Sequence, residues 1–289
     1  MRALVAGTGA LPAALLARHP DMLVCAMDGF APAVPVDVPF RIEHLGSLLA
    51  NLRARGVTEV CLAGAVRRPA IDARAIDAAT APLVPALKAA MAKGDDGALR
   101  GIIAMFEGAG LRIVAAHDLA PDLLPPAGVP TRARPGPAHD ADARAGVAEV
   151  AALGAADAGQ ACVVRAARVI AREGPEGTDA MLATLAPAGP APADDPFFAA
   201  MDLAGDLIGQ AAGWLGGDGG ILYKAPKPGQ DRRADLPLIG PATAEGAARA
   251  GLAGLVVAAG GVMVLDLPGV IRRLDEAGLF LWVRPEGGA

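Results

Sequence analysis

The residues most suited to chemistry fall in one stretch, YKAPKPGQDRRADLPLIGP (223–241). Lys224, Lys227, Gln230, Asp231, Arg232, Arg233 and Asp235 follow one another closely, and four prolines and two glycines stiffen the segment. Phosphoryl chemistry needs this mixture: cations neutralise phosphate oxygens, while carboxylates hold a divalent cation or orient water. A second segment, REGPEGTDAM (172–181), sets Glu173, Glu176 and Asp179 around Gly174 and Gly177. Three carboxylates about a tight turn suit a hard cation, or else serve as helix caps on a solvated loop; they do not match an EF-hand. A third, GAVRRPAIDARAID (64–77), places Arg67 and Arg68 before Pro69. Guanidinium forks suit phosphate oxygens, and a solvated surface pair is the plain alternative. The fourth is AGTGALP (6–12), in which a glycine turn with Gly7 and Gly9 opens a helix and can offer backbone N–H groups to an anion. Pro12 stands where a dinucleotide fingerprint wants a third glycine or alanine, and Asp28 is the nearest acidic residue to a ribose-binding position.

Other signatures are missing from the sequence: no P-loop, H-E-x-x-H, G-x-S-x-G or C-x-x-C is present. The four histidines, His19, His44, His117 and His139, are too scattered for a histidine-rich dimetal site. Trp214 and Trp282 read as core or pocket walls, and Cys25, Cys61 and Cys162 as buried thiols of a reducing compartment.

The elements that must position these segments alternate. Arg2–Ala6, 22–27, Glu59–Ala63 and 111–115 read as strands; 44–56, 83–91 and 98–107 read as helices. Such β/α alternation predicts a parallel sheet covered by helices. The Pro/Gly-rich stretch 120–137 reads as an interdomain linker, centred on 131–138 between an N-terminal domain (1–130) and a C-terminal domain (139–289). Beyond it come a helix at 140–156, paired strands at 160–165 and 168–172, and a helix at 178–185. A Pro-rich loop (187–196) and a Gly-rich run (213–220) lead to a strand at 221–225. The tail reads as a helix (243–250), a strand pair (254–258 with 262–265) and a last strand (279–283).

With 289 residues, 53% hydrophobic and 20% charged, the chain can bury a core in about two domains. Aromatics are only 3%, so that core is built from Ala, Leu, Val and Ile. A net charge of −5 argues against a nucleic-acid partner. Mean hydropathy is +0.40, yet no run of about 18 uncharged apolar residues occurs, and no export signal precedes the first strand.

Together AGTGALP, LAGAVRRP, EGPEGTDAML and LYKAPKPGQDRRADLPLIGP, in this order, resemble the LpxI family, the UDP-2,3-diacylglucosamine pyrophosphatases of lipid A biosynthesis. The resemblance implies a Rossmann-like N-terminal α/β domain, a C-terminal α/β domain of unusual topology, and the acylated sugar held in the cleft between them. It implies cleavage of UDP-2,3-diacylglucosamine to UMP and 2,3-diacylglucosamine 1-phosphate (lipid X) with Mg²⁺ or Mn²⁺. It also implies a cytoplasmic protein of a Gram-negative cell, transiently touching the inner membrane and possible as a homodimer. On this basis Asp231, Asp235, Asp179 and Lys224 are the expected catalytic residues, and Asp231, Asp235 and Asp179 the expected metal ligands. Gly7, Gly9, Ala10, Leu11, Pro12, Arg67, Arg68, Glu173, Gly177, Thr178, Lys227, Gln230, Arg232 and Arg233 are expected to bind substrate. Met181, Leu182, Phe197, Phe198, Met201 and Trp214 are expected to line an acyl chamber. The competing readings are a lipid-sugar carrier without turnover and an NAD(P)-dependent oxidoreductase resting on Gly7 and Gly9.

Overall fold

The structure, a computed structural model, describes residues 1–67, 69–92, 94–186 and 219–285. It divides into two compact units, one comprising Met1–Leu123 with Gly229–Leu236, the other Leu124–Pro228 with Pro237–Ala289. The charged turn around Asp231 is thus grouped with the first unit, although its flanks belong to the second.

The first unit runs β1 (Arg2–Ala6), α1 (Leu11–Leu16), β2 (Leu23–Met27), β3 (Val38–Phe40), α2 (Leu45–Ala54), β4 (Glu59–Ala63), α3 (Val84–Met91), α4 (Gly94–Gly108), β5 (Arg112–Ile113) and α5 (Ala116–Leu119). Its strands form one parallel sheet in the order β3-β2-β1-β4-β5. Parallel strands are covered on both faces, which is why Leu4, Cys25 and Cys61 are fully buried within unbroken apolar runs. Leu45, Leu48, Leu49 and Leu52 share one face of α2 and join Ile103 and Phe106 of α4 in the core. Strand order reverses at β1, so the loops leaving β1 and β4 form the topological switch point, where open sheets of this kind take ligands.

The second unit runs α6 (Pro137–Ala155), β6 (Ala161–Arg165), β7 (Arg168–Arg172), α7 (Thr178–Leu185), β8 (Ile221–Lys224), β9 (Leu238–Ile239), α8 (Pro241–Arg249), β10 (Gly254–Ala258), β11 (Met263–Val264), α9 (Leu267–Glu276) and β12 (Phe280–Arg284). The sheet order is β12-β10-β8-β6-β7. The first three are parallel, and β6 is antiparallel to both β8 and β7. Ala143 and Val150 of α6 pack on one face against Cys162, Ile221 and Tyr223. Leu182, Ala247, Val270 and Leu274, from α7, α8 and α9, pack on the other against Val163, Leu222 and Leu255.

Two expectations are revised. The predicted strand pair 254–258 with 262–265 does not form: β10 lies between β8 and β12, whereas β11 pairs in parallel with β9 in a separate two-stranded sheet. Both runs do form strands, but the two edges of β10 are already taken by β8 and β12, which leaves no edge for a hairpin partner. The Pro/Gly-rich stretch is also tied down. Gly128 pairs with Val283, and the buried Thr131 hydroxyl accepts from the Leu281 amide at 2.9 Å. The helix after it begins at Pro137, a residue suited to a first turn because it lacks the N–H that would go unpaired there.

Candidate active site

In the second unit Lys224 closes β8 and is almost wholly buried, at 6% exposure. Its Nζ donates to Thr178 Oγ1 at 2.6 Å, and that hydroxyl donates to Glu173 Oε1 at 2.5 Å. Nζ lies 3.8 Å from the same Oε1, while the Gln160 amide donates to Glu173 Oε2 at 2.8 Å. Burial pushes the Lys224 pKa down, and the negative charges of Glu173 and Asp179 pull it back up. Three segments distant in sequence are gathered here because β6, β7 and β8 are neighbours whose ends supply Gln160, Glu173 and Lys224. The N-cap of α7 is Gly177 with φ 87° and ψ −180°, a conformation essentially open to glycine alone. It places Thr178 inward and Asp179 outward. Asp179 Oδ1 accepts from the buried Thr243 hydroxyl of α8 at 3.2 Å. Lys227 Nζ pairs with Asp157 at 2.7 Å.

In the first unit the Asp231 turn is held by its own arginine. Asp231 Oδ1 accepts from the Arg233 amide at 3.1 Å and from Arg233 Nε at 3.0 Å, and Oδ2 accepts from the guanidinium at 2.8 Å. These bonds, Arg233's side chain foremost, hold the Asp231 pKa below the usual carboxylate range. The fork extends to Glu107 of α4 at 2.5 Å, and Arg100 of the same helix donates to the Gly229 carbonyl. Ala234 packs against the unit's core. The Asp235 amide donates to the Asp231 carbonyl at 3.1 Å, while its carboxylate has no hydrogen-bond or ion-pair partner among the described residues. Gln230 and Arg232 occupy the same segment.

At the switch point the two loops are stitched together. Thr8 donates to the Ala65 carbonyl at 3.0 Å, Ala65 donates back at 2.9 Å, and Gly7 donates to Ala63 at 2.8 Å. A Cβ on Gly7 would lie 2.5 Å from the Ala65 oxygen, so glycine is required for the approach. The Gly7 and Thr8 amides are thus both engaged in this bridge. Leu11 and Pro12 are buried in α1; Gly9 and Ala10 are exposed. Arg67 is exposed beyond the bridge, on a strap anchored where the Asp72 amide donates to buried Glu43 at 2.9 Å. That bond leads the causes that lower the Glu43 pKa to about 2.

Among the described residues no three His, Cys, Asp or Glu side chains form a metal-holding group. Mg²⁺ commonly takes one or two carboxylates and completes its shell with phosphate oxygens and water. Asp231 and Asp235, oxygen donors on one turn, fit that chemistry, and Asp179 offers a further carboxylate in the second unit. Arg68, Phe197, Phe198, Met201 and Trp214 lie outside the described residues; Met181 and Leu182 are core residues of the second unit. Sequence reading missed Arg100 and Glu107, whose seven-residue spacing on α4 puts them on one face. It also missed Gln160, which acts through its backbone, as well as Glu43 and Thr243, for which no local signal exists.

Residues 1–123 match the model of the LpxI N-terminal domain, and residues 126–282 match that of the LpxI C-terminal domain. The chain belongs to the LpxI family. A Caulobacter vibrioides protein named UDP-2,3-diacylglucosamine pyrophosphatase LpxI is 38% identical over 286 residues, covering 96% of this chain and 95% of that protein. The two LpxI domain models meet where the structure divides at Leu123 and Leu124. The Asp231 turn, inside the span of the C-terminal LpxI model, is grouped with the first unit.

Proposed function

We propose that this chain hydrolyses the pyrophosphate of UDP-2,3-diacylglucosamine to UMP and lipid X. The observation that carries the reading is the match, along nearly its whole length, to a relative bearing that enzyme's name. The geometry adds charged groups already fixed in place, as transfer between phosphates requires. Water oxygen bonds to the β-phosphorus, the bond from that phosphorus to the bridging oxygen breaks, and UMP leaves with the electron pair. One water proton passes to a carboxylate and then to solvent. Asp231, kept ionised by Arg233, supplies a fixed negative charge, and Asp235 is the carboxylate open to water. Lys227, Arg232 and Arg67 offset the substrate's charge, and Lys224 fixes Thr178 at the start of α7. Asp231 and Asp235 would hold Mg²⁺ or Mn²⁺, with Asp179 a further candidate ligand, and the ion would supply Lewis-acid neutralisation of the pyrophosphate.

The acylated substrate calls for transient contact with the inner membrane from the cytoplasmic side. Among the described residues no helix is long and apolar enough to cross a membrane. The test is UMP release from UDP-2,3-diacylglucosamine with Mg²⁺ and with EDTA, and in ¹⁸O-water, where the label belongs in lipid X. Asp231→Ala should keep fold and ligand binding while turnover falls by about 100-fold or more. Retained lipid without UMP would make the protein a carrier, and a near-normal rate in Asp231→Ala would remove Asp231 from the machinery.

A further inference from the structure

The carboxylate of Asp179 is exposed, yet one of its oxygens is held from beneath by a buried group. Thr243 is 6% exposed and sits in the first turn of α8. Its hydroxyl donates to Asp179 Oδ1 at 3.2 Å and accepts from the Gly240 amide at 3.5 Å, so its proton is directed at the carboxylate. Oδ2 has no partner among the described residues. Asp179 is thus a solvent-facing carboxylate in the first turn of α7, fixed through one oxygen and open through the other. No side chain caps α7; its N-cap is Gly177.

We propose that Thr243 is a positioning residue for the reaction, acting through Asp179. The inference rests on the hydrolase reading and on Asp179 belonging to its machinery. It extends the site into LPLIGPAT, where the β9–α8 junction sets the hydroxyl. Without the hydroxyl, Asp179 retains its charge but samples several rotamers, which penalises the oriented complex more than encounter.

The experiment measures kcat and KM for Thr243→Val, Thr243→Ser and Asp179→Ala, and for Thr243→Val combined with Asp179→Ala. Thr243→Val, close to isosteric, should lower kcat by about 10- to 100-fold, the range typical of groups that orient a ligand-bearing side chain. KM should change far less, and Thr243→Ser should restore kcat. In the Asp179→Ala background, adding Thr243→Val should cost nothing further. A full additional loss there, or a Thr243→Val enzyme with normal kcat, overturns the proposal. If Thr243→Val unfolds, Thr243→Ser and the far-UV circular dichroism of each variant decide between a structural and a positioning role. A stable Thr243→Ser enzyme whose kcat stays low would also overturn it. Failure of the hydrolase reading is recognised separately, because the unsubstituted protein then releases no UMP; a fully active Asp179→Ala enzyme removes Asp179, and Thr243 with it.

Discussion

Replacing Glu173 by Gln removes one charge from the buried Lys224–Thr178–Glu173 group and leaves its shape intact. Both charged side chains are nearly inaccessible, at 7% and 8%, and Nζ and Oε1 are 3.8 Å apart. With an effective dielectric of about 20, that separation corresponds to about 4 kcal/mol of attraction. Glutamine keeps one acceptor oxygen for Thr178 and loses the one that takes the Gln160 amide, while Lys224 can shed its proton, so the expected loss of stability near pH 6 is about 2–4 kcal/mol. The pH dependence is the sharper test. Burial already sets the folded pKa of Lys224 below its unfolded value, so the unfolded chain binds the proton more tightly. Stability therefore rises with pH between the folded and unfolded values. Glu173 opposes the burial, and its loss lowers the folded value further, extending that rise to lower pH. The penalty of Glu173→Gln should shrink by about 1.4 kcal/mol per pH unit once pH exceeds the variant's folded Lys224 pKa. Urea unfolding followed by far-UV circular dichroism from near pH 6 to about pH 9 reads both effects. A penalty under about 0.5 kcal/mol, no more than a surface substitution, would refute the coupling. So would a penalty that stays constant across the range.

Arg233→Met should raise the Asp231 pKa toward the ordinary carboxylate value of about 4. Asp231 would then protonate earlier as pH falls, and the acid limb of the pH–rate profile would move upward; an unmoved limb would detach Asp231 from the rate. Gly177→Ala should cost about 1–3 kcal/mol, because its φ of 87° with extended ψ is strained for any side chain. A thermal melt matching the unsubstituted protein would mean that α7 starts with another backbone.

How far the sequence could be read depended on the range of each interaction. The strands of the first unit were legible because a parallel sheet buries both faces, which leaves unbroken apolar runs such as LVCAM and EVCLA. β3 was not, since three residues including Pro39 carry no such signal. The pairing of β11 with β9 was hidden for a different reason: its partners are separated by α8 and β10, and sequence spacing favours a neighbour. At the site, density of charge and proline marked Asp231, Arg233 and Lys224. What it could not mark was the partner of each. Glu107 and Thr243 lie on helices whose local sequence resembles any exposed or alanine-rich helix, and only tertiary contact gives them a role.

The charged groups of this site differ from the ordinary surface pairs of the molecule. Arg144–Asp140 and Arg112–Glu59 join arginines that are 59% and 68% exposed, a setting in which ion pairs contribute little. Lys224, Glu173 and Thr178 instead give up water, and stability alone does not require this, since a packed apolar pair at such a position is often neutral or better. For the proposed hydrolysis, the ionic arrangement would supply a cation and hydroxyl held in low dielectric beside an exposed carboxylate, with no reorganisation left to complete when charge moves. Asp231 follows the same logic in the first unit, where its arginine sets both its charge and its direction. Removing either set of partners should therefore depress turnover more than substrate affinity, because what they supply is orientation already paid for on folding.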